Sequence, residues 1–505
     1  MNYYLGIELG STRIKAVKID SSYSVAASGD FTWASRKENG IWTYDLEDAI
    51  KGLKVALRGV KDLGGISAVG ISGMMHGHLA FDENWNLLTP FRTWQNTMTA
   101  EAAGILTEEF NFNVPQRWSI AHLYQAILNG ESHVGKIAHI TTLAGYIHYL
   151  LTGVNAVGVG EASGIFPVDG NCAYDANMLE KFDALARKSG FNMPVAELLP
   201  EVLPAGKWAG RLTKSGASLI DGLLPEGIPF APPEGDMGTG MVATNSVTPR
   251  TGNVSAGTSI NAMVVLEKAL KRVYEEVDIV TTPSGKFVAM VHCNNCTVDS
   301  NAWISVLGEA AELFGADTDK ELYARLYKKS LEGDPDCGGV LVCNYVAGES
   351  ITGFSSGRPM VIRTEGAKFT LANLMRSTLY STMATLKIGM DILYGEGVAI
   401  DSFMGHGGLF KTEGVCQNYF AAAFNTPVTC MTTAGEGGPY GMAILAAFCF
   451  DKDGLSLEEY LANRVFKDTP SITVTPEKAD SEGFEKYMAL YTKMLKAERT
   501  ATEIL

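Results

Sequence analysis

The sequence predicts a mixed α/β protein of two domains. Three observations carry that prediction. Apolar strand-like runs alternate with amphipathic helical stretches along the chain. The length of 505 residues accommodates two large domains, at ~100–200 residues per domain. Hydroxyl-bearing glycine turns follow apolar strands near the start of each half, at Gly10-Ser11-Thr12 and Gly257-Thr258-Ser259.

The first elements read as a meander. Tyr3, Leu5 and Ile7 share one face of an extended run, Gly10 to Thr12 turn the chain, and Ile14, Ala16 and Val17 open the next strand. A third strand is expected over residues 24–27. Such consecutive strands pair antiparallel. A helix follows, with Asp45 as N-cap and Leu46, Ile50, Leu53, Leu57 and Val60 on one face. The apolar run Ile66 to Ile71 predicts a buried strand that ends in Ser72-Gly73-Met74-Met75-His76-Gly77. Ligands gather beyond the carboxyl ends of strands in open α/β sheets, so this segment is a candidate pocket wall.

A Pro- and Gly-rich stretch from Pro225 to Gly240 leads to a domain boundary near residue 246, giving domains 1–246 and 247–505. In the second, Leu371, Met375, Leu379, Met383, Leu386, Met390 and Leu393 form one helical stripe that reads as core. Strands over 398–404 and 427–431 run towards Gly405-His406-Gly407-Gly408 and Gly435-Glu436-Gly437-Gly438, and an apolar helix is expected over 442–450. The charged tail 478–505 predicts one or two surface helices.

Composition excludes several classes. The net charge is −15 with no basic stripe, which argues against nucleic acid and anionic membranes as partners. The first residues lack the basic and apolar regions of a signal peptide, and no apolar run spans a bilayer, so a cytoplasmic location is expected. Eight cysteines are scattered; Cys293 and Cys296 form the one C-x-x-C, which lacks a second pair and reads as buried thiols.

Glycine lets a backbone approach an anion closely, and adjacent N–H groups with a hydroxyl can cradle phosphate oxygens. Each glycine turn alone is a weak signal, since a plain hairpin explains it as well. Competing nucleotide motifs fail: there is no G-x-x-x-x-G-K-[ST], and Gly6 and Gly10 do not form G-x-G-x-x-G. Phosphoryl transfer to a hydroxyl needs a proton acceptor and a neutralised phosphate. Asp236, in a loop expected to be flexible at the domain junction, is the candidate base, with helix capping as its structural alternative. Glu8, at the end of the first strand, is the candidate Mg²⁺ partner, with an ion-paired strand residue as its alternative. His76 at a strand end and Trp94, Gln95 and Asn96 are candidate sugar contacts, where core packing is the bland reading.

Together these residues resemble the FGGY carbohydrate kinase family, closest to its xylulokinase branch. Leu5 to Thr12 is similar to the first phosphate loop and Ser72 to Gly77 to the sugar-contacting S-G-Q-M-H-G. Leu151-Thr152-Gly153 and Glu161-Ala162-Ser163-Gly164 resemble L-T-G and D-A-A-G. Gly235-Asp236 resembles the G-D of the catalytic base, Gly257 to Ser259 the second phosphate loop and Gly348-Glu349 the start of G-E-R-T-P. Gly405 to Gly408 and Gly435 to Ala443 resemble the adenosine-side glycines.

The resemblance implies two ribonuclease-H-like domains of the actin-like ATPase superfamily, with an interdomain cleft that closes on binding. The N-terminal domain would bind sugar and carry catalysis, and the C-terminal domain would bind nucleotide. ATP and Mg²⁺ are the implied cosubstrates. The implied site has Asp236 as base, Glu8 at the metal, and Met75, His76, Trp94, Gln95 and Asn96 at the sugar. Gly10, Ser11, Thr12, Gly257, Thr258, Ser259, Gly407, Gly408 and Gly437 would hold the nucleotide. The departures are Glu8 for Asp, Met74 for Gln, Gln95-Asn96-Thr97-Met98 within W-N-D-x-R, and Ser350 for Arg. They fall mostly on the substrate and closure side and leave the sugar open. The expected activity is ATP-dependent phosphorylation of a small, D-xylulose-like ketose. The alternatives are ribulose, erythrulose, glycerol or a deoxy sugar as substrate, a non-catalytic sugar or nucleotide sensor, or a chaperone-like ATPase. Oligomeric state is open, a homodimer among the options.

Overall fold

The computed structural model describes residues 2–316, 321–432, 435 and 437–505. Two compact units emerge from the chain, and they are not contiguous halves. The first comprises Met1–Thr248, Val273–Val288 and Glu436–Thr469; the second comprises Pro249–Arg272, Ala289–Gly435 and Pro470–Leu505. Residues 273–288 and 437–469 thus pack with the first unit, where the sequence alone places them in a C-terminal domain.

In the first unit, strands β1 (Tyr3–Leu9), β2 (Arg13–Asp20), β3 (Val25–Thr32), β4 (Ile66–Gly73) and β5 (Glu234–Gly235) form one sheet in the order β5-β4-β1-β2-β3. The expected meander is present: β1–β2 and β2–β3 pair antiparallel, and β4 and β5 add in parallel beyond β1. Period-two alternation sorts β1. Leu5, Ile7 and Leu9 enter an apolar core with Ile14, Leu53, Leu57, Val69 and Ile71.

The helix Leu46–Gly59 covers that face. Asp45 caps it as expected, its carboxylate accepting the Glu47 N–H at 2.8 Å. The opposite face carries glycine where a helix must approach. An added Cβ at Gly6 would lie 2.0 Å from the Pro439 carbonyl oxygen, so the Gly438–Asp451 helix rests directly on β1. This helix also packs on the Asp236–Ala243 helix at Gly441, where an added Cβ would meet Thr239 O at 1.9 Å.

The second unit repeats the plan. Strands β6 (Thr251–Ala256), β7 (Ile260–Val265), β8 (Phe287–Cys293, of this unit from Ala289 on), β9 (Ser402–His406), β10 (Val428–Met431) and β11 (Ser471–Val474) run in the order β8-β7-β6-β9-β10-β11. β6 and β7 form a hairpin, and β9 and β10 follow in parallel beyond β6. Both sheets therefore have the antiparallel-then-parallel order of a ribonuclease-H-like core. The predicted Met-rich stripe lies on the 25-residue helix Leu371–Gly395, and from Met375 to Leu393 its residues are fully buried. The tail is one helix, Lys478–Ile504, and it buries Phe484, Tyr487, Tyr491 and Met494 rather than lying on the surface alone. All eight cysteines are free thiols.

Candidate functional site

Three parallel strands of the first unit end side by side. The register sets Glu8 of β1 opposite Ser72 of β4, and Ser72 opposite Glu234 of β5. Gly10, Met74 and Asp236 therefore leave the sheet along one edge, where ligands collect in open α/β folds.

Asp236 is not in a flexible loop. It is the first residue of the Asp236–Ala243 helix, with Gly235 at the N-cap position. Its Oδ1 accepts the Met75 N–H at 3.2 Å. Burial pushes its pKa up to about 6, against the N–H groups of Met75 and Met237, which favour the charged form. Glu8 is raised to about 8, by burial first and then by the nearby Asp236 carboxylate, with Lys15 opposing. Glu8 and Asp236 thus leave the same edge of the sheet, at the ends of β1 and β5 with β4 between them, and the Glu8 carboxylate is a hard-oxygen donor suited to Mg²⁺. Among the described residues no cluster of three or more His, Cys, Asp or Glu is arranged to hold a metal. Glu8 is the residue that would partner the ion. Gly438 makes room for Glu8: an added Cβ there would lie 1.6 Å from Oε2.

The Gly10–Thr12 turn is braced by aromatic donors. Trp33 Nε1 donates to the Gly10 carbonyl at 2.7 Å, the Tyr44 hydroxyl to the Ser11 carbonyl at 2.6 Å, and Trp94 Nε1 to Ser11 Oγ at 3.2 Å. Trp94, expected at the sugar, is thus tied to Ser11, expected at the phosphate, and its side chain is 39% exposed.

The other sugar candidates divide. Met74 turns into the apolar core beside Leu9 and Ile71. Met75 and His76 are both buried at the strand end. His76 has a left-handed backbone, φ 71°, and its ring stacks on Trp118 at 6.2 Å. Gln95 keeps a buried amide oxygen with no hydrogen-bond partner among the described residues, as a ligand-facing group would. Asn96 does not fit its expected role. Its Oδ1 accepts the Trp42 N–H at 2.9 Å and its Nδ2 donates to Trp42 O at 2.8 Å, so the amide is used up bracing a neighbouring strand.

In the second unit the two remaining glycine loops meet. β6 and β9 run parallel, with Ser255 opposite His406, so Gly257–Ser259 and Gly407–Gly408 leave adjacent strand ends. Gly407 has φ 101°, and an added Cβ would lie 2.3 Å from the Ala256 carbonyl oxygen, so only glycine fits here. The Gly257 carbonyl accepts from Thr297 Oγ1 at 2.8 Å, which fixes the turn on the start of the Thr297–Leu313 helix. Gly437, expected in the same group, instead begins the Gly438–Asp451 helix of the first unit. Glu436, within the same glycine run, lies outside the described residues.

Two buried acids, Glu161 and Glu234, were not singled out as site residues from sequence. Glu161 opens the segment that resembles D-A-A-G and Glu234 directly precedes Gly235-Asp236, but nothing in the local sequence marks the burial of either.

Residues 3–243 match the model of the N-terminal domain of the FGGY family of carbohydrate kinases, and residues 252–450 match that of its C-terminal domain. The chain belongs to this family. The xylulose kinase of Haemophilus influenzae is 22% identical over 464 residues, covering 88% of this chain and 90% of that protein. A Brucella ovis structure titled a xyloylose kinase superposes with a TM-score of 0.80 at 19% identity, over 98% of this chain and 99% of that one. Plasmodium falciparum glycerol kinase with ADP gives 0.78 at 15% identity, over 99% and 98%. At such identities the structural likeness speaks to the fold alone. Family membership makes the protein an ATP-dependent sugar kinase. No helix among its described residues is long and apolar enough to cross a membrane.

Proposed function

We propose that this kinase phosphorylates a hydroxyl of a small ketose, D-xylulose or a close analogue, with Asp236 as general base. The first unit is read as the sugar-binding and catalytic one, the second as the nucleotide-binding one. The observation that carries this reading is the setting of Asp236. It is an acid with a pKa of about 6, held by the Met75 N–H at the end of a parallel strand. A base poised near neutrality both ionises at working pH and accepts a proton effectively.

In the proposed step Asp236 takes the hydroxyl proton while the sugar oxygen bonds to the γ-phosphorus of ATP. The bond to the β–γ bridging oxygen breaks and ADP leaves. Bound Mg²⁺, partnered by Glu8, would offset charge on the phosphates. The backbone turns Gly10–Thr12, Gly257–Ser259 and Gly407–Gly408 are suited to phosphate and nucleotide contact. Met75, His76, Trp94 and Gln95 are the proposed sugar contacts.

The xylulose kinase relatives support a ketose. A glycerol kinase of similar fold, and the apolar Met98 in place of a basic family residue, support a substrate differing from D-xylulose at one hydroxyl or in chain length. Purified protein tested with ATP and Mg²⁺ against xylulose, ribulose, erythrulose, glycerol and a deoxy sugar, read as ADP release, decides the matter. Turnover with none of them would overturn the reading.

A further inference from the structure

Behind the Asp236 turn lie two more carboxyl groups. Glu161, in the short helical turn Val159–Ala162, is 0% exposed, and Glu234, in β5, is 1% exposed. The backbone is shaped around them. Added Cβ atoms at Gly158 and Gly160 would lie 2.1 and 2.5 Å from the Glu234 oxygens, and one at Gly235 would lie 2.6 Å from Glu161 Oε2. Glu234 is anchored, its Oε2 accepting the Glu161 N–H at 3.0 Å. Glu161 is not. Among the described residues neither of its oxygens takes part in a well-formed hydrogen bond, although the Thr142 hydroxyl is near enough to favour ionisation. The titratable groups acting on it are Glu234, Asp236 and Tyr174, all acids, with no Lys, Arg or His among them.

A carboxylate buried without cation or donors is strongly disfavoured, and such a group keeps its proton instead. Burial first, then the acidic neighbours, hold Glu161 well above the usual carboxylate range.

We propose that Glu161 is a positioning residue of this kinase: an uncharged carboxylic acid wedged against the Gly235 peptide that fixes the backbone carrying Asp236. The inference rests on reading Asp236 as the base. Two side chains close on one point. The Met75 Cγ would lie 2.9 Å from the same added Cβ at Gly235, and the Met75 N–H is the donor that holds Asp236. Glu161 and Met75 therefore grip Gly235 together, and the grip sets the direction of the base. Neutrality matters as well. An ionised Glu161 would place another negative charge beside Asp236 and alter its proton affinity. The family motif that this segment resembles begins with aspartate, and shortening Glu161 by one methylene would withdraw the carboxyl from Gly235.

Infrared difference spectra between wild type and Glu161→Gln at neutral pH, without substrate, test the protonation state directly. A protonated-carboxyl C=O band that is missing in the variant is expected. Its absence from the wild type would overturn the proposal. Kinetics test the positioning. Glu161→Gln, neutral and of equal size, keeps kcat within about threefold, whereas Glu161→Asp and Glu161→Ala lower it about 10–100-fold with KM for ATP unchanged. A Gln variant as impaired as the Ala variant, or an unimpaired Ala variant, would overturn the proposal. If the Ala variant does not fold, the Gln and Asp variants carry the comparison. Asp236→Asn in the same assay separates the two readings: an active Asp236→Asn sinks the base assignment, while the infrared band still reports on Glu161.

Discussion

Replacing Gly438 by alanine tests whether Glu8 sits at the reacting centre. The new methyl group would start 1.6 Å from Glu8 Oε2 and 2.9 Å from Thr239 Oγ1. Ordinary contact begins near 3.4 Å, so the carboxylate must retreat by roughly 1.8 Å. The clashing atom is the end of a flexible side chain, so the fold should lose only about 1 kcal/mol, the low end for overpacking. The catalytic cost is larger, because misplacing a reacting group by about 1 Å costs on the order of 10²-fold. Gly438→Ala should therefore lower kcat by about 10²-fold and raise the Mg²⁺ concentration for half-maximal rate, with a small fall in Tm. Gly441→Ala is the structural contrast. Its methyl group meets a backbone oxygen at 1.9 Å that cannot swing away, so stability rather than Mg²⁺ dependence should suffer. ADP-release assays across a Mg²⁺ titration, paired with thermal melts, give both readouts. Unchanged kcat and Mg²⁺ dependence in Gly438→Ala would refute the placement of Glu8 at the phosphates.

Asp236→Asn should keep the fold and ATP binding but lose about 10²–10⁴-fold in turnover; retention of half the wild-type rate would remove Asp236 as base. The rate should rise with pH through about 6, since the base must ionise to work, and Asp236→Asn should abolish that limb. Glu8→Gln should raise the Mg²⁺ requirement, because a neutral amide is a poorer partner for the ion; an unaltered titration would make Glu8 a plain strand residue. Glu234 has a folded pKa of about 8 against 4.5 for the free group. Between those values the folded chain holds a proton the unfolded chain has lost, so stability falls as pH rises through the window and levels off above it. Glu234→Gln should flatten the slope in melts across that range, and an identical slope would show that Glu234 is not buried as described.

Local chemistry made much of this legible. Asp45 stands before an apolar stripe and caps the helix as its side chain predicts. Glu8 could be placed at a strand end because apolar strand, acid and turn are contiguous in the chain, whereas Asp236 reads as a flexible loop because the strand before it, Glu234–Gly235, is only two residues long. What failed depended on distant partners. Asn96 looked ligand-facing, but its partner is the backbone of Trp42, 54 residues earlier, in a segment with no marked pattern. Gly437 followed a strand of the second unit in sequence, and only the packing of Gly6 and Gly70 against the next helix shows where it belongs. Burial of Glu161 and Glu234 arises from glycines at 158, 160 and 235 converging in space, which no single segment announces.

The return of the Gly438–Asp451 helix to β1 has a consequence for biosynthesis. Tyr4 and Asp451 share a hydrogen bond across 447 positions of chain. One face of β1 stays uncovered until that helix has been made, so the unit that begins first on the ribosome cannot close its core until nearly the whole chain has emerged. Contacts so far apart in sequence carry a loop-closure cost and slow folding. A nascent chain halted near residue 246 would present Gly6 and Gly70 on a bare sheet face, a surface for chaperones to shield until translation passes residue 451.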